Sequence, residues 1–125
     1  MSKEYVDWTD INKFVFEDLK DSELLKNKTY VYGLPRGGLS LAVMFSHAFD
    51  LKLLIISPQM TSFNVKNVLI VDDISDKGNT LFEYYEEGFD IITYAYHKQS
   101  IVIPKIWKFE KKESWLVFPW EELYV

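Results

Sequence analysis

The strongest constraint on the fold lies in residues 68–81. Four consecutive aliphatic residues, 68–71, are followed by two adjacent aspartates, Asp72 and Asp73, and then by a short polar loop. Such a compact aliphatic run is typical of a strand that is covered on both faces in a parallel sheet. The polar loop therefore falls at the carboxyl end of that strand, which is where open α/β sheets bind ligands.

The rest of the chain alternates between strand and helix patterns. Strands are predicted at residues 29–32, 51–57, 91–96 and 115–118, and helices at residues 8–26, 39–49 and 80–87. This order predicts one α/β domain over residues 1–125, with a mostly parallel β-sheet flanked by helices. We expect residues 51–57 to be covered on both faces and the helix at residues 39–49 to be buried on most sides.

Composition and charge exclude several functional classes. The net charge is −5, and no basic run is long enough for a nucleic-acid interface. The short cluster of Lys108, Lys111 and Lys112 is interrupted by glutamates and is interpreted as a solvated turn. The chain has no cysteine, which excludes disulfides and thiolate catalysis. It also lacks a signal-peptide pattern and any run near the roughly 20 apolar residues of a membrane span, so a cytoplasmic protein is expected.

The loop at residues 75–80 has the composition of an anion site. Gly78 lets the backbone approach a phosphate closely, and the hydroxyls of Ser75 and Thr80 can donate to its oxygens. A helix that starts at Thr80 would add exposed amides and a favourable dipole. The simpler alternative is an aspartate-rich turn that only caps a helix, but the whole string after an aliphatic strand favours phosphate binding.

A second glycine-containing loop, residues 33–38, also follows a predicted strand and leads into a helix. Arg36, the only arginine of the chain, lies in it before Gly37 and Gly38. A guanidinium group suits bidentate contact with phosphate, and the glycines free the backbone to fold around the same anion. The simpler alternative is that Arg36 is an ordinary surface charge on a glycine turn, but two anion loops at one sheet edge reinforce each other.

Both loops resemble the motifs of one enzyme family. Residues 68–81, VLIVDDISDKGNTL, look like the phosphoribosyl pyrophosphate signature of type I phosphoribosyltransferases, and residues 34–39, LPRGGL, look like their pyrophosphate loop. The opening YVDW at residues 5–8 and the closing WLVFPWE at residues 115–121 are similar to the xanthine-guanine and related purine branch.

The resemblance implies a type I phosphoribosyltransferase fold with a small C-terminal aromatic segment near the base site. The implied activity is purine salvage: a homodimeric, Mg²⁺-dependent enzyme transfers phosphoribose from phosphoribosyl pyrophosphate to a purine base of the xanthine, guanine or hypoxanthine type. The implied phosphoribosyl-binding residues are Asp72, Asp73, Ser75, Asp76, Lys77, Gly78, Asn79 and Thr80. Pyrophosphate would be held by Arg36, Gly37 and Gly38, the base by Lys98, Trp115 and Leu116, and the metal by Asp72 and Asp73. The catalytic residues would be Asp76, as proton acceptor, and Asp73.

One departure from the family keeps two alternatives open. Family enzymes carry a long mobile loop before the signature, whereas the connection here is residues 58–66 at most, too short to act as a lid. A module of the same fold that binds a nucleotide or phosphoribosyl compound without catalysis is therefore the main alternative. A transferase for another base is the second.

Overall fold

A computed structural model describes residues 2–60 and 62–121. Thr61, within the short connection, and residues 122–125 lie outside the described part. The strands are β1 Lys3–Tyr5, β2 Tyr30–Gly33, β3 Lys52–Leu54, β4 Val68–Ser75, β5 Asp90–Tyr96, β6 Phe109–Glu110 and β7 Trp115–Val117. The α-helices are α1 Trp8–Asn12, α2 Glu23–Lys26, α3 Gly37–Phe49 and α4 Phe82–Glu86.

Five strands form one sheet in the order β3-β2-β4-β5-β6, and every neighbouring pair is parallel. The predicted α/β fold with a parallel sheet is therefore confirmed. Because β4 lies at the centre, the residues that follow it emerge between the ends of β2 and β5. This position brings the two glycine-containing loops to the same edge.

The aliphatic strand divides the core into two clusters. Leu69 and Val71 pack into a cluster with α3 and the N-terminal helices, whereas Val68 and Ile70 pack into one with Tyr84 of α4. The four consecutive aliphatic residues, 68–71, have no exposed surface. Burying each side chain contributes about 1.5–3 kcal/mol, so this alternation fixes the register of β4 and with it the position of the loop that follows.

The single long helix predicted at residues 8–26 is wrong. The segment contains α1, a π-helical turn at Lys13–Asp18, and the separate α2. Lys13 Nζ lies 2.7 Å from Asp18 Oδ1, an i to i+5 pairing that suits the wider π turn. The Leu19 amide then donates to the carbonyl of Phe14, and the helical run stops there.

Three other predicted elements are shorter or more exposed than expected. β3 is an edge strand of three residues, and Leu53 within it and Ile55 directly after it are exposed. α3 extends over its predicted range, but Leu39 and Val43 face outward. α4 begins only at Phe82, two residues later than predicted.

The predicted C-terminal strand is β7, which pairs not with the main sheet but with β1. This two-stranded parallel sheet joins both ends of the described chain beside the end of β4. Trp120 stacks on Phe118, with ring centroids 5.2 Å apart, and contacts Trp8 at 5.8 Å. The expected aromatic segment is therefore present. None of the helices in the described part of the chain is long and apolar enough to cross a bilayer.

Candidate active site at the end of strand β4

The two adjacent aspartates lie where β4 leaves the core. Asp72 is 8% exposed and Asp73 is half-buried. The Asp72 carboxylate accepts from the Asp73 amide at 2.9 Å, and the Asp73 carboxylate accepts from the Ile74 amide at 2.7 Å. Within the described residues, neither carboxylate forms an ion pair with a basic side chain.

Burial without a counterion shifts both carboxyl groups in the same direction. Burial, followed by the neighbouring charge of Asp73, raises the pKa of Asp72 well above its ordinary value. Burial also raises the pKa of Asp73, and the hydrogen bonds with the Asp72 side chain and with backbone amides offset this only in part. The pair therefore forms a site that favours a bound cation.

The loop that follows β4 presents an unsatisfied row of backbone amides. Within the described part of the chain, the amides of residues 76–80 donate no hydrogen bond. These five consecutive N–H groups precede α4, which is too short to provide a helix-terminus site of its own. Unpaired amides in a polar loop are ready donors to an anion.

Neighbouring residues hold this loop from behind. The Ile101 amide donates to the Lys77 carbonyl at 3.0 Å, and the His97 amide donates to the Ser75 carbonyl at 2.9 Å. The buried Ser75 hydroxyl lies 2.7 Å from the Ser100 hydroxyl and 2.8 Å from the Val102 carbonyl oxygen. The Ser75 side chain is therefore part of the loop's support, whereas Lys77, Asn79 and Thr80 are exposed.

Gly78 is required by this conformation for two separate reasons. Its φ is +88°, and a Cβ atom there would lie 2.6 Å from Ser100 Oγ. Ser100 cannot yield easily, because its hydroxyl is bonded to Ser75 and to the Val102 carbonyl. Gly88 provides a matched comparison: its φ is +90°, but the nearest atom to an added Cβ lies 4.0 Å away.

We expect Gly78→Ala to destabilise the protein by about 2–3 kcal/mol, through backbone strain and the contact with Ser100 together. Gly88→Ala should cost about 1 kcal/mol, because strain acts alone there. Urea denaturation of both variants measures the difference. Equal losses in the two variants would contradict the close packing of Gly78 on Ser100.

The loop at residues 33–38 meets the acidic pair directly. A Cβ atom on Gly37 would lie 2.2 Å from Asp73 Oδ2, and one on Gly38 would lie 2.6 Å from the Val71 carbonyl oxygen. Both glycines therefore allow this loop to pack on the end of β4. Arg36, next to them, is exposed, and its guanidinium forms no ion pair within the described residues.

A cavity on the other side of the acidic pair brings several predicted residues together. Its lining consists of Asp73, Ile74, Asp76, Lys111, Trp115, Leu116, Phe118 and Glu121. Leu116 is buried, and Trp115 is 55% exposed. Lys98, predicted to contact the base, is exposed in the turn after β5 and does not line this cavity.

Lys111 is the site residue that the sequence analysis missed. The cluster of Lys108, Lys111 and Lys112 was predicted to be a solvated turn, which is wrong for Lys111, because only 13% of its side chain is exposed and its Nζ lies 3.2 Å from Asp76 Oδ2. Gln99 was missed as well, and its Nε2 donates to Asp76 Oδ1 at 2.9 Å. Lys111 and Gln99 lie in loops that are distant in sequence from Asp76. The one sequence feature that pointed to Lys111 was its position four residues before Trp115, a predicted base-binding residue.

No protein-family model matches the chain, and no curated protein matches it in sequence. Solved structures do. The chain is 31% identical to a purine phosphoribosyltransferase from Pyrococcus horikoshii Ot3, with a TM-score of 0.77, over 100% of this chain and 97% of that one.

Two more distant structures share the fold. A xanthine-guanine-hypoxanthine phosphoribosyltransferase from Helicobacter pylori has a TM-score of 0.76 at 18% identity, over 95% of this chain and 94% of that one. A hypothetical protein from Neisseria gonorrhoeae, solved with bound ppGpp, has a TM-score of 0.74 at 16% identity, over 98% of this chain and 90% of that one. These two matches show the fold, and the 31% identity to the Pyrococcus enzyme along the whole chain shows the family. The protein belongs to the type I phosphoribosyltransferase family, on its purine phosphoribosyltransferase branch.

Proposed function

We propose that the protein transfers the 5-phosphoribosyl group of phosphoribosyl pyrophosphate to a purine base of the xanthine, guanine or hypoxanthine type and releases pyrophosphate. The observation that carries this proposal is the row of unpaired amides at residues 76–80, beside a buried acidic pair without a counterion. The amides offer hydrogen-bond donors to a phosphate. The acidic pair favours a cation and can accept hydrogen bonds from a ribose diol. Family membership supplies the reaction class.

The 5′-phosphate is assigned to the loop after β4. Its amides donate to the phosphate oxygens, and the exposed Lys77, Asn79 and Thr80 side chains add donors and positive charge. Gly78 lets the backbone come close, and Ser75 holds the loop through Ser100. Asp72 and Asp73, directly before this loop, are assigned to the ribose hydroxyls.

The acidic pair fits Mg²⁺. The ion prefers carboxylate oxygens, keeps several waters, and is commonly completed by substrate phosphates, so two protein carboxylates are enough. Asp72 and Asp73 are buried, lack an ion-pair partner within the described residues, and have raised pKa values, which a bound divalent cation would lower. When bound, the ion neutralises charge on the pyrophosphate leaving group.

Pyrophosphate is assigned to the loop that carries Arg36, Gly37 and Gly38. The Arg36 guanidinium is exposed and free to form two parallel hydrogen bonds with it. In the reaction, the bond from C1 of the ribose to a pyrophosphate oxygen breaks and a bond from C1 to a base nitrogen forms. Asp76 accepts the proton that leaves the base.

The base is assigned to the cavity lined by Trp115 and Leu116. The predicted contact of Lys98 with the base stays a prediction, because Lys98 is exposed and does not line this cavity. The exposed Trp115 ring provides a face for stacking, and Leu116 an apolar floor. The homodimer contact is assigned to the exposed apolar side chains on α3 and beside β3, because patches of this kind mark interaction sites. They are Leu39, Val43, Leu53, Ile55, Ile56 and Met60.

The second candidate function is binding of a nucleotide or phosphoribosyl compound without turnover. Two observations favour it. The connection between β3 and β4, residues 55–67, is longer than the predicted 58–66 but still short, and the Neisseria protein of the same fold was solved with bound ppGpp. Incubating the pure protein with Mg²⁺, phosphoribosyl pyrophosphate and each purine base separately, followed by chromatography, distinguishes the two. Nucleotide formation supports the transferase, whereas ligand binding without product supports the binding module.

We expect guanosine monophosphate and phosphoribosyl pyrophosphate to raise the melting temperature of the protein. A ligand that binds only the folded state adds about 2.7 kcal/mol at a hundredfold excess over its Kd. Differential scanning fluorimetry at millimolar ligand measures this shift, with ribose lacking phosphate as the control. No shift with either phosphorylated compound would contradict both candidate functions.

A further inference from the structure

Lys111 occupies an unusual position for a lysine in a loop. Its Nζ lies 3.2 Å from Asp76 Oδ2 and 5.5 Å from the centre of the Trp115 ring. Its backbone amide donates to the Tyr96 carbonyl at 2.8 Å, which ties the loop to the end of β5. The ammonium group is thus placed between a carboxylate and an aromatic face, both of which favour a cation.

The other oxygen of Asp76 is held by a different segment. Gln99 Nε2 donates to Oδ1 at 2.9 Å from the turn after β5, whereas Lys111 binds Oδ2 from the loop between β6 and β7. A carboxylate bound through both oxygens by two separate segments has little freedom to rotate. The two contacts therefore set the direction in which Asp76 faces the cavity.

We propose that Lys111, together with Gln99, positions Asp76 at the base side of the site, so that it accepts a hydrogen bond and a proton from the incoming base. This inference rests on the proposed function, because Asp76 is the proton acceptor only if a base is bound there. Lys111 is a positioning residue, since it acts on the base through Asp76.

The charges around the cavity support this role. Three carboxylates, Asp73, Asp76 and Glu121, line it, and Lys111 is the only cation in the lining given by the described residues. Burial opposes the charged form of Asp76, but the hydrogen bond from Gln99 and the hydrogen bond and charge of Lys111 outweigh it, and His97 acts in the same direction, so the pKa of Asp76 is lowered. Without Lys111, like charges would face one another across the cavity.

Lys112 offers a matched control. It is the next residue, carries the same charge, and pairs with Glu110 at 2.7 Å, but 72% of its side chain is exposed. A lysine that only tethers this loop or adjusts the net charge would be equivalent to it. Substituting each in turn separates the specific contact with Asp76 from both general effects.

The experiment compares wild type with Lys111→Met, Lys111→Arg and Lys112→Met by two readouts. Steady-state kinetics with guanine, hypoxanthine or xanthine give kcat and KM for the base and for phosphoribosyl pyrophosphate. Carbon-13 NMR gives the pH titration of the Asp76 carboxyl, with its signal assigned through Asp76→Asn. The NMR readout requires no turnover, so it tests the contact even if the proposed reaction fails.

We expect Lys111→Met to lower kcat/KM for the base by about 10- to 100-fold, the loss associated with a misplaced catalytic group, and to leave KM for phosphoribosyl pyrophosphate within about twofold. The Asp76 titration should move to higher pH. Lys111→Arg should have nearly the wild-type kcat/KM and Asp76 titration, and Lys112→Met should match wild type in both quantities.

An unmoved Asp76 titration in Lys111→Met, or equal losses of kcat/KM in the two methionine variants, would overturn the inference. Absence of turnover in wild type would overturn the proposed function alone, and NMR would still decide the role of Lys111.

Discussion

Replacing Asp72 and Asp73 together by asparagine should abolish the Mg²⁺-dependent binding of phosphoribosyl pyrophosphate and make the folded protein more stable at pH 7. Asparagine keeps an oxygen that can accept the backbone hydrogen bonds now made by both carboxylates, so the turn is preserved. What it removes is negative charge, which favours the metal but is unfavourable without it. Inorganic phosphate should still bind at residues 76–80, because that loop uses backbone amides.

The gain in stability follows from the direction of the pKa shifts. The folded state raises the pKa of both carboxyl groups above the unfolded values. Burial is the main cause for both, and the charge of Asp73 adds to it for Asp72. Their contribution to stability is therefore fully present below the unfolded pKa and is lost as the pH rises through the folded pKa. At pH 7, in the presence of a chelator, wild type has lost this contribution, and the double variant avoids the loss.

We expect a gain on the order of 1 kcal/mol, or about 3–6 °C in melting temperature, at pH 7 without metal. Toward acidic pH, the difference between the two proteins should shrink as the carboxyl groups of wild type become protonated. Glu86→Gln with Glu113→Gln removes two charges from exposed positions and serves as the control. Calorimetry in chelator and titration of phosphoribosyl pyrophosphate with and without Mg²⁺ measure the two effects. Unchanged Mg²⁺-dependent affinity would show that the carboxylates only shape the turn.

The sequence predicted those parts of the site that are contiguous along the chain. The aliphatic strand, the acidic pair and the glycine loop follow one another in residues 68–81, so periodicity and turn chemistry place them together without knowledge of the fold. The parallel order of the sheet then places the loop with Arg36 at the same edge. These are short-range patterns combined with a general rule of topology.

The contacts between distant loops could not be predicted in the same way. Lys111 and Gln99 meet Asp76 only because β5, β6 and β7 end at particular places, and no local pattern encodes that convergence. Charge alternation around Lys111 even favoured a solvated turn. The N-terminal helix was mispredicted for a related reason: its apolar spacing fits both one long α-helix and the observed α and π turns, and packing decides between them.

Side chains of the connection between β3 and β4 contact neighbouring elements. These contacts bear on how the site excludes water. Ser57 Oγ lies 2.7 Å from the Tyr84 hydroxyl, and the amide group of Gln59 is bonded to Glu83 and Glu87. These partners lie on or directly after α4. The part of the connection that contains Ser57 and Gln59 therefore lies against α4.

Further along, the same connection is held at the opposite end of the sheet. The Phe63 ring packs against Tyr30 with centroids 4.6 Å apart, and the buried Lys28 ammonium donates to the Lys66 carbonyl at 2.9 Å. Lys28 is also paired with Asp90 at 2.7 Å. The connection, residues 55–67, is therefore short and has contacts near both of its ends. We do not expect it to replace the long mobile loop of family enzymes.

If the transfer occurs without that lid, water should compete with the base for the activated ribose, because a closed site is what normally prevents such hydrolysis. We expect kcat below the roughly 10 s⁻¹ that is typical of enzymes, together with release of ribose 5-phosphate. Chromatographic quantification of nucleotide and ribose 5-phosphate from one reaction measures both. Gln59→Ala, which removes the side chain that contacts Glu83 and Glu87, should leave their ratio unchanged if the connection is not a lid. Fast transfer with little ribose 5-phosphate would contradict an open site and assign its cover to the aromatic segment around Trp115 or to a second copy of the chain. Binding with neither product would leave a phosphoribosyl-binding module.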